Sequence, residues 1–157
     1  MLHSGSDHLA MNFKIEWITV SAVVYSTEDK EKVGEAMATL FPFEFEIMVS
    51  EAKGHFGNPL LYLEVELKKR REIKEFWNYL MELLGDQRRF LINLLEEKVD
   101  AQGVLHIRID KQKAYLGEVK LTEGGDAIVV KVKIVTYPAK REKIMEAAKE
   151  LIEKGYR

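Results

Sequence analysis

The stretch GHFGNPLLYLEVELKKRR, residues 54–71, combines a polar loop, an alternating strand and four consecutive cations. Its two glycines and the Asn58-Pro59 pair indicate a tight turn, because glycine frees the backbone and the residue before a proline is pushed out of the helical region. From 60 to 68, apolar and polar residues alternate, and this period of two predicts a strand with one buried face. The cations that follow are Lys68, Lys69, Arg70 and Arg71.

The basic run has two interpretations. In the first, it is the solvated start of a helix, as most surface charge runs are. In the second, these cations contact phosphate, and the loop that carries His55 and Phe56 presents an imidazole and a phenyl ring to bases. The residues of this stretch fit both interpretations.

Length and composition exclude several classes of protein. The 157 residues fit one domain that can bury a core without disulfides or metals. Hydrophobic residues make up 46% and charged residues 32% of the chain, so intrinsic disorder is excluded as a class. The absence of cysteine excludes a disulfide framework and a thiolate site. No apolar run approaches the roughly 20 residues of a membrane span. The absence of cysteine suits a reducing cytoplasm, and we expect a cytoplasmic protein.

Charge is distributed unevenly along the chain. The net charge of −2 argues against a polyanionic partner. However, residues 1–67 carry 4 Lys and Arg against 11 Asp and Glu, whereas residues 68–157 carry 20 against 15. Such asymmetry permits a basic face on a slightly acidic protein. We therefore expect the cations of the second half to gather into one continuous patch.

The order of predicted elements indicates the fold class. Residues 1–12 are interpreted as a flexible lead-in or a remnant of an expression vector, and residues 13–157 as a single domain. Predicted strands cover residues 13–25, 43–49, 60–68, 103–110, 118–121 and 128–137. Helices fill most of the remainder, and their order favours an α+β fold, with an antiparallel or mixed sheet and helices mainly on one face.

Local signals mark the helices. Ser26 with Asp29 resembles a capping box that begins the first helix. Residues 73–84 follow the i, i+3, i+4, i+7 pattern, and Phe90 belongs to the predicted buried stripe of the next helix. Asp110 is a plausible N-cap for a short helical turn, and Pro138 fits the first turn of the closing helix.

A catalytic centre is not expected. His55, His106 and Asp110 together suggest a metal-dependent hydrolase, but their spacing matches no metal motif. A polar solvent face on a half-buried strand explains His106 and Asp110 equally well. The sequence also has no phosphate-cradling glycine loop and no nucleophile elbow. We predict no enzyme activity, no metal and no cofactor.

Two further groups of cations fit an anion partner. Lys111 and Lys113 lie on the short helical turn beside Tyr115. Lys140 and Arg141 lie in the first turn of the closing helix, where cations oppose the helix macrodipole. A bound anion at the helix start would offset that cost, although neighbouring Glu142 offsets part of it as well.

Three segments occur in a fixed order: residues 54–60 (GHFGNPL), 110–117 (DKQKAYLG) and 137–142 (YPAKRE). Together they resemble an archaeal family of small RNA-binding proteins that are described as predicted exosome subunits. The fold of that family is similar to that of the 5S-rRNA-binding ribosomal protein, and the resemblance spans roughly residues 17–152. The matching positions are Gly54, His55, Gly57, Asn58, Pro59, Asp110, Lys111, Gln112, Tyr115, Gly117, Tyr137, Pro138, Lys140 and Arg141.

The resemblance implies a homodimer that binds structured RNA without catalysis, as an accessory to RNA processing or exosome-linked degradation. The alternative is a structural or adaptor protein that binds a protein partner, with its basic residues serving solubility. The run at 68–71 is not part of the family motifs and is included for its charge. The predicted RNA-binding residues are His55, Asn58, Lys68, Lys69, Arg70, Arg71, Lys111, Lys113, Tyr115, Lys140 and Arg141.

Overall fold

A computed structural model describes residues 12–54 and 56–157 of the chain; residues 1–11 and His55 lie outside the described part. The strands are β1 (Phe13–Val24), β2 (Met48–Lys53), β3 (Pro59–Leu67), β4 (Val104–Asp110) and β5 (Ala127–Thr136). The helices are α1 (Lys30–Ala38), α2 (Arg70–Leu84), α3 (Arg88–Asn93), α4 (Leu95–Lys98), α5 (Lys111–Tyr115) and α6 (Arg141–Lys154). The predicted α+β class is confirmed.

The five strands form one antiparallel sheet in the order β2-β3-β1-β5-β4. β1 lies at its centre, so that Val20 pairs with Val65 on one side and with Val130 on the other. All three valines are buried. Because side chains alternate along a strand, one face of β1 packs against the helices and the other does not.

The helices cover a single face of the sheet. In α2, every predicted stripe residue is buried, namely Ile73, Phe76, Trp77, Leu80, Met81 and Leu84. The Trp77 indole N–H donates to the carbonyl of Leu151 at 2.9 Å and joins α2 to α6. One continuous apolar core contains these side chains together with the inward residues of the strands. None of the described helices is long and apolar enough to span a membrane.

The start of α1 differs from the prediction. Asp29, not Ser26, is the N-cap, and its side chain accepts a hydrogen bond from the Glu31 N–H at 2.9 Å. Ser26 lies too early because residues 25–28 form a turn in which the Glu28 N–H donates to the Tyr25 carbonyl at 2.9 Å. The carboxylate three residues later therefore caps the helix.

The strand predicted at 43–49 is mostly wrong. β2 begins only at Met48, and the alternating Phe43 and Phe45 belong to an irregular segment that packs on the core. The ring of Phe45 stacks on Phe41 with centroids 4.1 Å apart, and Phe43 meets Phe41 edge-on at 6.0 Å. Alternation here reflects aromatic rings that pack on Phe41 and the core, and not a strand ladder.

The strand predicted at 118–121 is also absent from the described structure. Only Leu121 bridges to Ile109. The Gln87 side chain donates to the Val119 carbonyl and accepts from the Leu121 N–H, both at 2.9 Å. These bonds satisfy backbone groups that a strand would otherwise pair.

Two smaller predictions are wrong. Phe90 is 67% exposed, because Leu91, Leu95 and Val99 form the buried stripe at a spacing of four residues. Pro138 lies before α6, which begins at Arg141 with Lys140 as its N-cap.

The two edges of the sheet differ. The outer edge of β4 is covered by residues 120–122, where the Asp110 N–H donates to Lys120 at 2.8 Å and the Thr122 N–H donates to Arg108 at 3.0 Å. β2 pairs only with β3, and all six of its residues are exposed. Within the described residues, β2 is therefore the open edge.

Candidate nucleic-acid interface

The strand topology separates the predicted contact residues into two groups. β3 spans nine residues, or about 27 Å. The 54–60 segment lies at its start and the basic run 68–71 at its finish. Since β3 and β5 are both antiparallel to β1, the 137–142 segment after β5 lies at the same end as the basic run. We call this end, where β3 and β5 finish, the basic end.

The 110–117 segment lies at the opposite end, where β4 finishes and β5 begins. Two strands, β1 and β5, separate it from β3, so it is roughly 14 Å from the start of β3 across the sheet. The expectation of one continuous cationic patch is wrong. The cations form separate groups because antiparallel strands carry successive connections to alternate ends of the sheet.

A groove of about 480 Å³ opens at the basic end. Its cationic lining residues are Lys14, Lys68, Arg70 and Arg157, and Glu16 contributes one acid. Lys68 Nζ lies 3.7 Å from the Glu66 carboxylate, whereas the other three cations make no ion pair within residues 12–54 and 56–157. The groove therefore carries an excess of positive charge.

Tyr156 forms the floor of this groove. Its hydroxyl accepts a hydrogen bond from the Ile15 N–H at 3.2 Å, and its carbonyl accepts from the Asn78 side chain at 2.9 Å. Lys74 Nζ lies 5.3 Å from the centre of its ring. These contacts hold the chain around Arg157 against β1 and α2, so the lining of the groove is fixed by the fold.

The other predicted cations of the 68–71 run are exposed. Lys69 is the N-cap of α2 and uses no side-chain capping bond. Arg71 donates to Glu75 at 3.0 Å, yet its side chain stays 89% exposed. An ion pair so exposed to water contributes little to stability. Arg71 can therefore replace Glu75 by a phosphate with little loss of stability.

Arg141 has a structural role at the start of α6. Its guanidinium donates to the carbonyls of Glu96, Val99 and Asp100 at 3.1–3.3 Å. Cations commonly bond the last carbonyls of a helix, and here Arg141 caps the end of α4. The neighbouring Lys140 is exposed. A second groove of about 210 Å³, lined in part by Tyr137, Pro138 and Lys143, shares Phe13 with the first.

Lys111 is not available to a phosphate, contrary to its predicted role. It is 1% exposed, whereas the predicted role requires an accessible ammonium. Its Nζ donates to the Val23 carbonyl and to Glu28, both at 2.8 Å, and pairs with Asp126 at 2.6 Å. An ammonium has three N–H donors, and these three partners use all of them.

The Lys111 cluster also determines the ionisation of Glu28. Partial burial by itself raises the pKa of Glu28, because it disfavours the charged form. Hydrogen bonds from Lys111, the Tyr25 N–H and Gln112, with the Lys111 charge, outweigh burial and hold that pKa below its usual value of 4.5. Lys111 thus ties α5 to the end of β1 and to the turn before β5.

The remaining predicted residues lie at the end opposite the groove. Lys113 is exposed, and Tyr115 is half-exposed with Lys32 Nζ 5.6 Å from its ring centre. The Asn58 carbonyl accepts from the Gly54 N–H at 2.7 Å and closes the β2–β3 turn. His55 is outside the described residues.

The residues of the metal-hydrolase alternative have other partners. His106 Nε2 lies 2.9 Å from Asp100 Oδ2, and the Asp110 side chain caps α5 by accepting from the Lys113 N–H at 2.9 Å. Across residues 12–54 and 56–157, no group of three or more metal-ligating side chains is found.

Sequence reasoning missed Lys14 and Arg157. Lys14 is one polar residue in an alternating strand, and Arg157 is an exposed residue after the buried Tyr156; neither carries a local signal. Only the pairing of β1 with β3 and the return of α6 bring them to Lys68 and Arg70.

Comparison with known proteins places the chain. A family model described as RNA binding matches residues 17–134. The protein belongs to this RNA-binding family. RNA-binding protein PAB1135 of Pyrococcus abyssi is 45% identical over 142 residues, covering 87% of this chain and 92% of that relative.

Two solved structures share the fold. Protein AF2318 from Archaeglobus fulgidus, assigned to DUF54, is 69% identical with a TM-score of 0.85, covering 88% of this chain and 99% of that one. Mth689, a DUF54 protein from Methanothermobacter thermautotrophicus, is 37% identical with a TM-score of 0.75, covering 88% and 98%.

Substitution of Lys111 tests whether this lysine stabilises the fold or only adds charge to the surface. Lys111→Ala leaves Glu28 and Asp126 without their cation, and we expect it to lower the free energy of unfolding by about 3–5 kcal/mol. The exposed Lys113→Ala on the same helix is the matched control and should change it by less than about 0.5 kcal/mol. Urea titration measures both. Equal effects of the two variants would contradict the buried cluster.

The stabilisation by Glu28 depends on pH in a defined direction. Because its folded pKa is lowered, the carboxylate stabilises the fold at neutral pH, and this contribution disappears as pH falls through the folded pKa. The difference in unfolding free energy between the wild type and Glu28→Gln should therefore shrink below pH 4.5. Urea titrations at a series of pH values measure this difference, and a constant difference would contradict the assignment.

Proposed function

We propose that this protein binds structured RNA through the groove at its basic end. The observation that carries the proposal is the cluster of Lys14, Lys68, Arg70 and Arg157 in a member of a family described as RNA binding. Phosphate contacts supply most of the sequence-independent affinity of nucleic-acid-binding proteins. Exposed Lys69 and Arg71 extend the same surface along the start of α2.

The geometry favours recognition of the backbone. The cations that line the groove come from β1, from the residue that follows β3, from the start of α2 and from the residues after α6. Rigid elements hold the groove, so it suits an RNA fold whose phosphates are already in place. We propose Lys140 as a peripheral contact, and Asn58, Lys113 and Tyr115 as contacts for an RNA that reaches the opposite end.

The role of this binding is also proposed as non-catalytic. The resemblance supports an accessory role in RNA processing or exosome-linked degradation, and the relative PAB1135 carries the name RNA-binding protein. A cytoplasmic location remains a prediction that rests on the absence of cysteine.

Charge reversal tests the groove. Lys68→Glu combined with Arg70→Glu should weaken binding of a hairpin RNA. It should also reduce the slope of log affinity against log salt by roughly 2, about 1 per lost phosphate contact. Fluorescence anisotropy of a labelled hairpin across a salt series measures both quantities.

Lys30→Glu is the matched control for this experiment. Lys30 is exposed and begins α1, which follows the end of β1 opposite the groove. The Lys30→Glu substitution should leave the affinity for the hairpin RNA and its salt slope unchanged. Equal losses in both proteins would reject the groove as the site, and a wild type that binds no RNA at low salt would reject the function.

We further propose that the protein is a homodimer that pairs through β2. The open edge of this strand carries Met48 at 55% and Val49 at 49% exposure. Unpaired edges with exposed apolar residues are templates for pairing with another chain. Antiparallel pairing of two β2 strands would extend the sheet across two copies.

A charged substitution tests this edge. Val49→Lys should convert the dimer to a monomer, because a lysine on an edge strand opposes pairing. Analytical ultracentrifugation measures the mass, and Glu44→Lys, exposed just before β2, is the control. A monomeric wild type, or a dimer that tolerates Val49→Lys, would contradict the proposal.

A further inference from the structure

The sheet face opposite the main helix layer has a distinct composition on β1, β5 and β4. Lys131 and Lys133 of β5 lie between Thr19 and Trp17 of β1 and His106 and Val104 of β4. Arg108 adds a fourth basic side chain one pair further along β4. We call Trp17, Lys131, Lys133, His106 and Arg108 the basic sheet face.

A bulge in β1 joins this face to the groove. Lys14 pairs with Val135 and Trp17 pairs with Lys133, and the register shifts between Ile15 and Trp17. Because Lys133 and Val135 are two residues apart, they point to the same face, and so do Lys14 and Trp17. Without the extra residue, a spacing of three would place them on opposite faces. Bulges commonly re-aim side chains in this way.

The charges of this face are only partly neutralised. The side chain of Lys131 makes no ion pair or hydrogen bond within the described residues. Lys133 and Arg108 donate to the carbonyls of Gln102 and Gly125, which do not cancel their charge. Arg108 Nε is buried without a partner in the described part. Within residues 12–54 and 56–157, the one ion pair made by the side chains of this face joins His106 Nε2 to Asp100 Oδ2 at 2.9 Å.

These observations favour one kind of occupant. Lysines are depleted from the centres of protein–protein interfaces, whereas this face has two of them at its middle. A partly exposed indole beside lysines matches the way single strands are bound, with bases stacked on aromatic rings and phosphates held by cations. Duplex bases are already stacked on one another and cannot use Trp17 in that way.

We propose that the basic sheet face binds single-stranded RNA, with a base stacked on Trp17 and the backbone following Lys131 and Lys133 towards Lys14. The strand would continue from the RNA held in the groove. This inference rests on the proposed RNA-binding function and adds a second mode of recognition to it. β3 marks the limit of the path, because Glu64 and Glu66 oppose phosphates there.

Labelled oligouridylate and a blunt hairpin duplex, both titrated by fluorescence anisotropy, test the inference. Trp17→Ala should weaken oligouridylate binding about 5- to 150-fold and leave hairpin binding unchanged, and Trp17→Phe should recover much of the loss. Lys131→Glu should weaken oligouridylate binding and lower the salt slope of that binding by roughly 1. This variant tests the inference even if Trp17→Ala fails to fold. Tyr62→Ala, on β3 of the same sheet face, is the matched control and should have no effect.

Intrinsic fluorescence gives an independent measurement. The chain has two tryptophans, and Trp77 is fully buried. Oligouridylate should therefore quench the tryptophan fluorescence of the wild type, through Trp17. The fluorescence of Trp17→Phe should not change. Normal hairpin binding with unchanged oligouridylate affinity in the Trp17 and Lys131 variants would overturn this inference alone. Absence of all RNA binding would overturn the proposed function as well. If the Trp17 and Lys131 variants differ from the wild type in sedimentation mass but not in RNA affinity, the face binds a second copy of the chain. That result would also overturn the inference.

Discussion

Burial of one face of β1 is the constraint on which the molecule depends. This strand pairs with β3 and β5 over most of its length, and its inward residues meet α1, α2 and α6 in a single core. Most apolar side chains of the strands are buried on one face of the sheet. The other face carries valines together with polar and aromatic residues, and both proposed RNA contacts, the groove and the basic sheet face, include residues of β1.

The same topology decides where charge can act. Each antiparallel connection reverses the direction of the chain, so segments that are neighbours in sequence reach opposite ends of the sheet. Lys68 and Arg70 meet Lys14 and Arg157, which are distant in sequence, while Lys111 turns inward to Glu28 and Asp126. A net charge of −2 is compatible with an RNA partner because the cations of the groove are clustered and mostly unpaired.

Sequence periodicity predicted the parts of the fold that local physics determines. The α2 stripe and the alternation in β3, β4 and β5 follow directly from helix and strand geometry. Long-range partners were beyond its reach. Lys111 and Lys113 look alike in sequence, but only the first meets an acid 83 residues away. Likewise, the alternating phenylalanines before β2 gave a strand pattern because the signal does not reveal whether a neighbouring strand exists.

The unequal pairing of the strands also grades local stability across the sheet. Amides of β1 are held between two neighbours and above the core, whereas β2 has one neighbour and no buried residue. Local opening costs least where few contacts are lost. We therefore expect amide protons of β2 to exchange with solvent deuterium when only the β2–β3 hairpin frays. Amide protons of β1 should exchange only when the whole sheet and core open.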